Sequence, residues 1–374
     1  MDEIINLRHE LHRNPELSGN EKLTAKRIVQ FLSNYKPDEL YTDIAGSGVA
    51  AVYNGKEVGA TLLFRCDMDA LPVEEHNALP YKSMNNGVSH QCGHDGHMAM
   101  VSGLAKRLHE NPIGKGRVVL FYQPEEENGK GAKESINELR ELGLLTDFAF
   151  AIHNMPKYPF GSIVLGKYTF SAASKGVIIK LTGKNAHAAY PESGINPSEA
   201  VAEIIQVLNG VKYIKLFSEY ILATIVHVQV GDVAFGTSPG YAEVMVTLRA
   251  FDKDHMRKLS DYAVSSTQNI AAKHKLEVDI QFTDEFPAAD CNPELSNIVE
   301  VIAKKQSREV IFINQPNRWS EDFAHFTSAL PSIIFGLGVG ENHPDLHTNS
   351  YDFPDEIIPY GVELMEGIIN HILR

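Results

Sequence analysis

The chain has 374 residues, 43% apolar and 22% charged, which excludes extended disorder and leaves room for two or three domains. Lys and Arg number 34 against 48 Asp and Glu, a formal charge of −14, so phosphate backbones and anionic membranes are repelled and nucleic acid is not an expected partner. No apolar run approaches the ~20 residues of a membrane span, the opening residues lack a basic stretch followed by an apolar one, and three cysteines (Cys66, Cys92, Cys291) fit a reducing cytoplasm rather than a disulfide scaffold.

Residues 2–13 carry a helical pattern with Ile4, Ile5, Leu7 and Leu11 on one side, ended by Asn14-Pro15. A second helix is expected over 21–35, strands over 49–53 and 60–66, and a helix over 95–109. The unbroken apolar run 118–122 predicts a buried strand, followed by a helix over 131–142 and a strand over 148–152. Strands alternating with helices predict an α/β layer with a mostly parallel sheet. The pattern then changes: strand 177–181, a helix from Asn196 with Pro197 in its first turn, strands 220–230 and 243–251, helix 254–274 and strand 277–282. That β-α-β-β-α-β order is that of a small ferredoxin-like sandwich. Near Pro287 the α/β pattern resumes, with helix 293–306, strand 332–335 and a final helix over 359–373. The expected organisation is a discontinuous catalytic domain, 1–174 plus 286–374, with a smaller domain, 175–285, inserted.

Five places carry candidate chemistry. The densest is Ser89-His90-Gln91-Cys92-Gly93-His94-Asp95-Gly96-His97, at a loop-to-helix boundary, where Cys92 and His94 offer thiolate and imidazole to one divalent ion. A structural zinc site or a plain loop would read similarly. Gln123-Pro124-Glu125-Glu126-Glu127 directly follows the buried strand 118–122; it is either a solvated acidic turn or a group of carboxylates at the crevice that strand ends build. His153-Asn154 follows strand 148–152, and His347 lies in a late loop. Asp67 and Asp69, in Arg65-Cys66-Asp67-Met68-Asp69-Ala70-Leu71-Pro72, follow another buried strand, as crevice groups or as turn formers.

These segments, with Asn185-Ala186-His187-Ala188-Ala189, Ser320-Glu321-Asp322-Phe323 and the opening Leu11-His12-Arg13-Asn14-Pro15-Glu16-Leu17-Ser18, occur in one order. Together they resemble the N-acyl-amino-acid amidohydrolases of the aminoacylase/carboxypeptidase metallopeptidase family, whose members include hippurate hydrolase, indole-acetyl-amino-acid hydrolases and N-acetyl-diaminopimelate deacetylase. The resemblance implies a zinc-peptidase-like α/β catalytic domain with an inserted lid that also forms a homodimer. It implies a two-metal centre in which Cys92, His94, Glu127, His153 and His347 are ligands. Glu126 matches the general base, His187 the lid histidine that holds substrate or oxyanion, often across the dimer, and Asp67 an orienting aspartate behind the site.

Physical chemistry agrees with these roles. Two cations lower the pKa of a water and polarise an amide carbonyl. Glu126 would take the water's proton and return it to the leaving amine, while Glu127 stays a ligand. Mixed S, N and O donors admit Zn, Mn, Co or Ni. Arg249, on a lid strand, is either a partner for a substrate carboxylate or a surface or dimer-interface arginine. The sequence departs from the family at Glu125, where Ala is usual, and at Gly236-Thr237-Ser238-Pro239-Gly240, where an asparagine-containing stretch is usual; a milder change is Thr348-Asn349-Ser350-Tyr351-Asp352-Phe353 after the last ligand. The expected activity is removal of an acyl group from a small N-acyl amino acid. A metallo-exopeptidase acting on the same bond type is the alternative, and a catalytically silent binding protein is a third, disfavoured because Glu126 and every ligand are present.

Overall fold

The computed structural model describes residues 1–215 and 217–373. Helix α1 (Asp2–Arg13) buries Ile4, Leu7 and Leu11, the stripe its sequence predicts, and α2 (Lys22–Ser33) buries Ile28 and Leu32. Strands β1 (Glu39–Ile44), β2 (Gly48–Asn54) and β3 (Glu57–Asp67) follow, then α3 (His94–Glu110). Strand β4 (Lys115–Gln123), helix α4 (Gly131–Glu141), strand β5 (Phe148–Pro156) and strand β6 (Ile163–Gly166) complete the first run.

The next elements are β7 (Ala173–Thr182), β8 (Ala186–His187), α5 (Ser198–Asn209), β9 (Ile221–Val230), β10 (Thr237–Ser238), β11 (Tyr241–Ala250), α6 (Lys253–Lys273) and β12 (Glu277–Phe286). The chain closes with α7 (Pro293–Lys305), β13 (Val310–Ile313), α8 (Ala324–Ala329), β14 (Ser332–Gly340) and α9 (Ile358–Ile372). Pro293 opens α7 behind Asn292, whose side chain accepts the Glu294 and Leu295 N–H groups. Among the described residues no helix is long and apolar enough to cross a membrane.

Two compact units result. One comprises Met1–Phe170, Ala289–Gln315 and the chain from Glu321 onward; the other comprises Ser171–Ala288 and Pro316–Ser320. The short segment 316–320 joins the second unit through backbone bonds from Ala172 N–H to the Asn317 and Trp319 carbonyls. The first unit is an α/β layer built on an eight-stranded sheet, order β1-β2-β4-β3-β5-β14-β6-β13. It is parallel only from β4 through β14 and between β6 and β13; β1-β2, β2-β4 and β14-β6 are antiparallel. The sheet is thus more mixed than expected. The edge strands β1 and β13 were not anticipated because both are half-exposed and lack clear alternation.

The second unit has a four-stranded antiparallel sheet, order β12-β7-β11-β9, with α5 and α6 packed against it. Strand β11 alternates, burying Ala242, Val244, Val246, Leu248 and Ala250 on one face. This is the order that the β-α-β-β-α-β pattern specifies.

In the first unit, β3, β4 and β5 run parallel and in register, so their carboxyl ends lie side by side: Asp67 pairs with Gln123, and Arg65 with Ala151. The loops after those ends carry the chemical groups.

Candidate metal centre

Cys92 and His94 flank Gly93, which begins α3 with φ +94°; a Cβ there would lie 2.6 Å from Asn154 Oδ1. Only glycine therefore lets the loop turn into the helix with both flanking side chains facing the same space. His153 arrives from the carboxyl end of β5. His347 comes from the late loop at φ +62°, held against the Cys92 loop by its N–H donating to the Gln91 carbonyl at 2.8 Å.

These side chains converge. Cys92 Sγ is 3.7 Å from His153 Nε2 and 3.4 Å from His347 Nε2. Glu127 Oε1 is 3.7 Å from both His94 Nε2 and His347 Nε2. Two trios with metal-binding spacing, Cys92–His94–His153 and Cys92–Glu127–His347, share the thiol. A third trio, His94–Glu126–Glu127, brings in the neighbouring carboxylate. All five sequence-derived ligand candidates thus come together, with Glu126 beside them.

The imidazoles are set as metal ligands are. His94 Nδ1 donates to the Asp69 carbonyl at 2.9 Å and His153 Nδ1 to the Asn154 carbonyl at 2.8 Å, which leaves each Nε2 with its lone pair toward the cluster. His94 Nε2 and Glu127 Oε1 are buried without a hydrogen-bond partner. Buried polar atoms are almost always satisfied, so unsatisfied donors converging with a thiol fit a cation. Soft sulfur with imidazole and carboxylate suits zinc and the later first-row ions.

Asp67 lies just behind. Its Oδ1 accepts from His97 Nδ1 at 2.6 Å and its Oδ2 from Arg65 Nη1 at 2.8 Å. Arg65 is fully buried and also reaches Asp322 at 2.7 Å, Glu321 at 3.0 Å and the Gln123 side-chain oxygen at 3.0 Å. Glu126 Oε1 accepts the Asp322 backbone N–H at 3.2 Å. The Ser-Glu-Asp-Phe segment therefore frames Glu126 from one side. The signal in the sequence for Arg65 was a charge inside an otherwise apolar strand, which is rarely placed there without partners.

Burial, then the charges of Glu321, Glu127 and Asp322, pushes the Glu126 carboxyl well above the usual range. Burial also raises Glu127 to about 7, against the opposing pull of His94. Asp67 goes the other way: burial raises it, but His94, His97 and Arg65 outweigh that and hold it well below the usual range. Burial keeps His153 neutral, as a ligand imidazole must be, and pushes the Cys92 thiol up.

His187 and Arg249 belong to the second unit. His187, on β8, is exposed, and its Nδ1 accepts the Ala189 N–H at 3.1 Å, so the ring proton sits on Nε2. Arg249, on β11, is half-buried, and its Nη1 donates to the Arg318 carbonyl at 2.9 Å and to Ser320 Oγ at 3.0 Å. Its guanidinium is thus partly engaged within its own unit.

Comparison with known proteins adds a second line. The model of peptidase family M20/M25/M40 matches residues 63–371. N-acetylcysteine deacetylase of Bacillus subtilis (strain 168) is 30% identical over 340 residues, covering 90% of this chain and 88% of the relative. Hippurate hydrolase of Campylobacter jejuni is 30% identical over 361 residues, covering 95% and 93%. Among solved structures, a Bacillus subtilis protein described as a dinuclear metal-binding peptidase of the M20 family superposes with a TM-score of 0.85. It is 25% identical, with 100% of this chain and 98% of the other covered.

Proposed function

Since this chain belongs to peptidase family M20/M25/M40, a family of amide-bond hydrolases, we propose that it is a two-metal amidohydrolase that deacylates N-acyl amino acids. The observation that carries the reading is the shared Cys92 thiol: two ligand trios meet at it, with an additional carboxylate, Glu126, alongside. Cys92, His94, His153, Glu127 and His347 would hold two divalent ions (Zn, Mn, Co or Ni). Such ions, when bound, polarise a scissile carbonyl and make water acidic enough to attack it at neutral pH.

The rest falls to the chain's own groups. Glu126, which its burial among carboxylates disposes to hold a proton, takes one from the attacking water and delivers it to the amine nitrogen as the C–N bond breaks. Asp67 orients His97 and Arg65, and through Arg65 the Glu321–Asp322 wall around Glu126. For His187 we propose the family role of donor to the developing oxyanion. Its Nε2 carries the proton that this requires. Arg249 remains our candidate for a substrate carboxylate.

The two B. subtilis likenesses and the Campylobacter hydrolase divide between deacylation and peptide cleavage. Release of free amine from metal-loaded protein tests this, over N-acetyl amino acids, hippurate, N-acetyl-diaminopimelate and dipeptides. Turnover of the N-acyl substrates with dipeptides at least ten-fold slower is expected; the reverse preference makes it an exopeptidase, and no turnover of either class ends the reading.

We further propose a homodimer through the edge of the second unit's sheet. Strand β9 is one of its two edge strands, and Val226 and Val228 on it are 60% and 40% exposed, with Val233 and Phe235 fully exposed just beyond. The three cysteines are unpaired, and we place the protein in the cytoplasm on that basis.

A further inference from the structure

Glu126 and Glu127 are consecutive, yet they serve different neighbours: one meets the Asp322 N–H, the other His94 and His347. The backbone arrangement that divides them begins one residue earlier. Glu125 has φ +55°, in the left-handed region that residues with a Cβ avoid. Something must hold it there.

The holder is in view. The Glu125 N–H donates to Glu21 Oε1 at 2.9 Å, and Glu21 Oε2 accepts from Ser47 Oγ at 3.1 Å. Two residues on, the Glu127 N–H donates to Asp69 Oδ2 at 2.9 Å, which also accepts from Ser18 Oγ at 2.7 Å. Glu21 is wholly buried at the start of α2, and none of the described residues forms a salt bridge with it. A buried carboxylate spent on peptide N–H groups adds little through charge pairing. Its value lies in fixing where those peptides point. Burial raises its carboxyl while these N–H bonds pull it back, as that use requires.

We propose that Glu21 is a positioning residue for the reaction: it locks the left-handed peptide at Glu125 and thereby sets Glu126 against the Asp322 N–H and Glu127 against His94 and His347. Asp69 secures the other end of the same turn. The effect is remote, since among the described residues no hydrogen bond or ion pair joins Glu21 to a candidate ligand or to Glu126. The Glu125 side chain is itself tied to Asn128 Nδ2 at 2.9 Å, so the turn closes on itself once Glu21 has set its first peptide.

This inference rests on Glu126 and Glu127 carrying the chemistry, and the test separates the two. In metal-loaded protein, Glu21→Ala is expected to lower kcat about 10- to 100-fold with KM within about two-fold and metal content unchanged, as misalignment of a catalytic group does. Glu21→Gln keeps an acceptor oxygen and should stay within about three-fold of native. Adding Glu125→Gly to Glu21→Ala should restore kcat at least about five-fold, because glycine adopts positive φ without Cβ strain. A purely structural role for Glu21 would lower the melting temperature without that rescue. Should Glu21→Ala not fold, Glu125→Val supplies the second arm: with Glu21 intact, a β-branched residue resists the left-handed region and kcat should fall about ten-fold. Native-like kcat in Glu21→Ala or Glu125→Val, or no rescue by glycine, overturns the proposal. Glu126→Gln run alongside distinguishes the failures: full activity there removes the base, and loss there with native-like Glu21→Ala removes this inference alone.

Discussion

The buried polar cluster beneath α3 makes a quantitative pH prediction. His12, on α1, is fully buried; its Nδ1 lies 2.8 Å from Asp95 Oδ2 and its Nε2 3.2 Å from Glu75 Oε1. Arg8 shares Asp95 at 2.8 Å, reaches Asp355 at 3.2 Å and also pairs with Asp352. Burial lowers the His12 pKa, but the bond and charge of Asp95 and the bond to Glu75 outweigh it and raise it from 6.5 to about 9. The folded state therefore binds a proton that the unfolded chain releases between these values. The stabilisation is complete below about pH 6.5 and is lost as pH rises through about 9. A tenfold change in proton affinity is worth about 1.4 kcal/mol, so the rise from 6.5 to about 9 amounts to about 3–4 kcal/mol at most. Urea unfolding of native protein and His12→Gln, at equal metal content from pH 6 to 10, isolates this contribution by difference. The gap between them should narrow by up to about 3–4 kcal/mol across that window. A gap independent of pH would refute a charged His12.

Three further outcomes follow from the centre itself. Glu126→Gln should retain both metals and lose about 10²–10⁴ in kcat, measured as released amine against metal content by elemental analysis; near-native turnover would place the base elsewhere. Cys92→Ala removes the donor common to both ligand trios, so metal content should fall at both positions rather than one; an unchanged stoichiometry would exclude the thiol. Gly93→Ala forces a Cβ to 2.6 Å from Asn154 Oδ1 at φ +94°, and should cost about 1–3 kcal/mol in stability with weakened metal affinity; a native-like midpoint and metal titration would show that the loop can relax.

The sequence revealed the donors better than the scaffold that arranges them. Position marked Cys92 and His94 at a loop-to-helix boundary and Glu127 and His153 after strand ends, which meet in a parallel layer, but as one ligand set, with His347 from a late loop, they were legible only through the resemblance of the ordered motifs to the family. The Ser-Glu-Asp-Phe segment was visible as a motif, but its contact with Arg65 spans more than 250 residues of chain and has no local signature. Glu21 gave no signal at all, since a glutamate at the start of a helix is ordinary. The edge strands β1 and β13 were missed for a related reason: half-exposed strands lack the periodicity that pattern reading depends on. The 316–320 segment joins the second unit through backbone bonds, which composition does not encode.

The charge balance of the centre explains why adjacent glutamates behave differently. Asp67, Asp69, Glu126, Glu127, Glu321 and Asp322 crowd one buried region, and Arg65 is the guanidinium that pairs with Asp67, Glu321 and Asp322 there. Asp69 is anchored by Ser18 and the Glu127 N–H. That leaves Glu126 and Glu127, with the Cys92 thiol, as the groups with no arginine or lysine partner among the described residues. Burial, and then the neighbouring carboxylates, pushes both carboxyls up. Divalent cations at the Cys92–Glu127–His347 and Cys92–His94–His153 positions would discharge Glu127 and the thiol directly. Glu126, framed by Glu321 and Asp322, would keep the carboxylate repulsion that favours taking up a proton. The division of labour between neighbours in sequence is thus a consequence of which wall each one faces, and those walls are built by Arg65 on one side and by the converging imidazoles on the other.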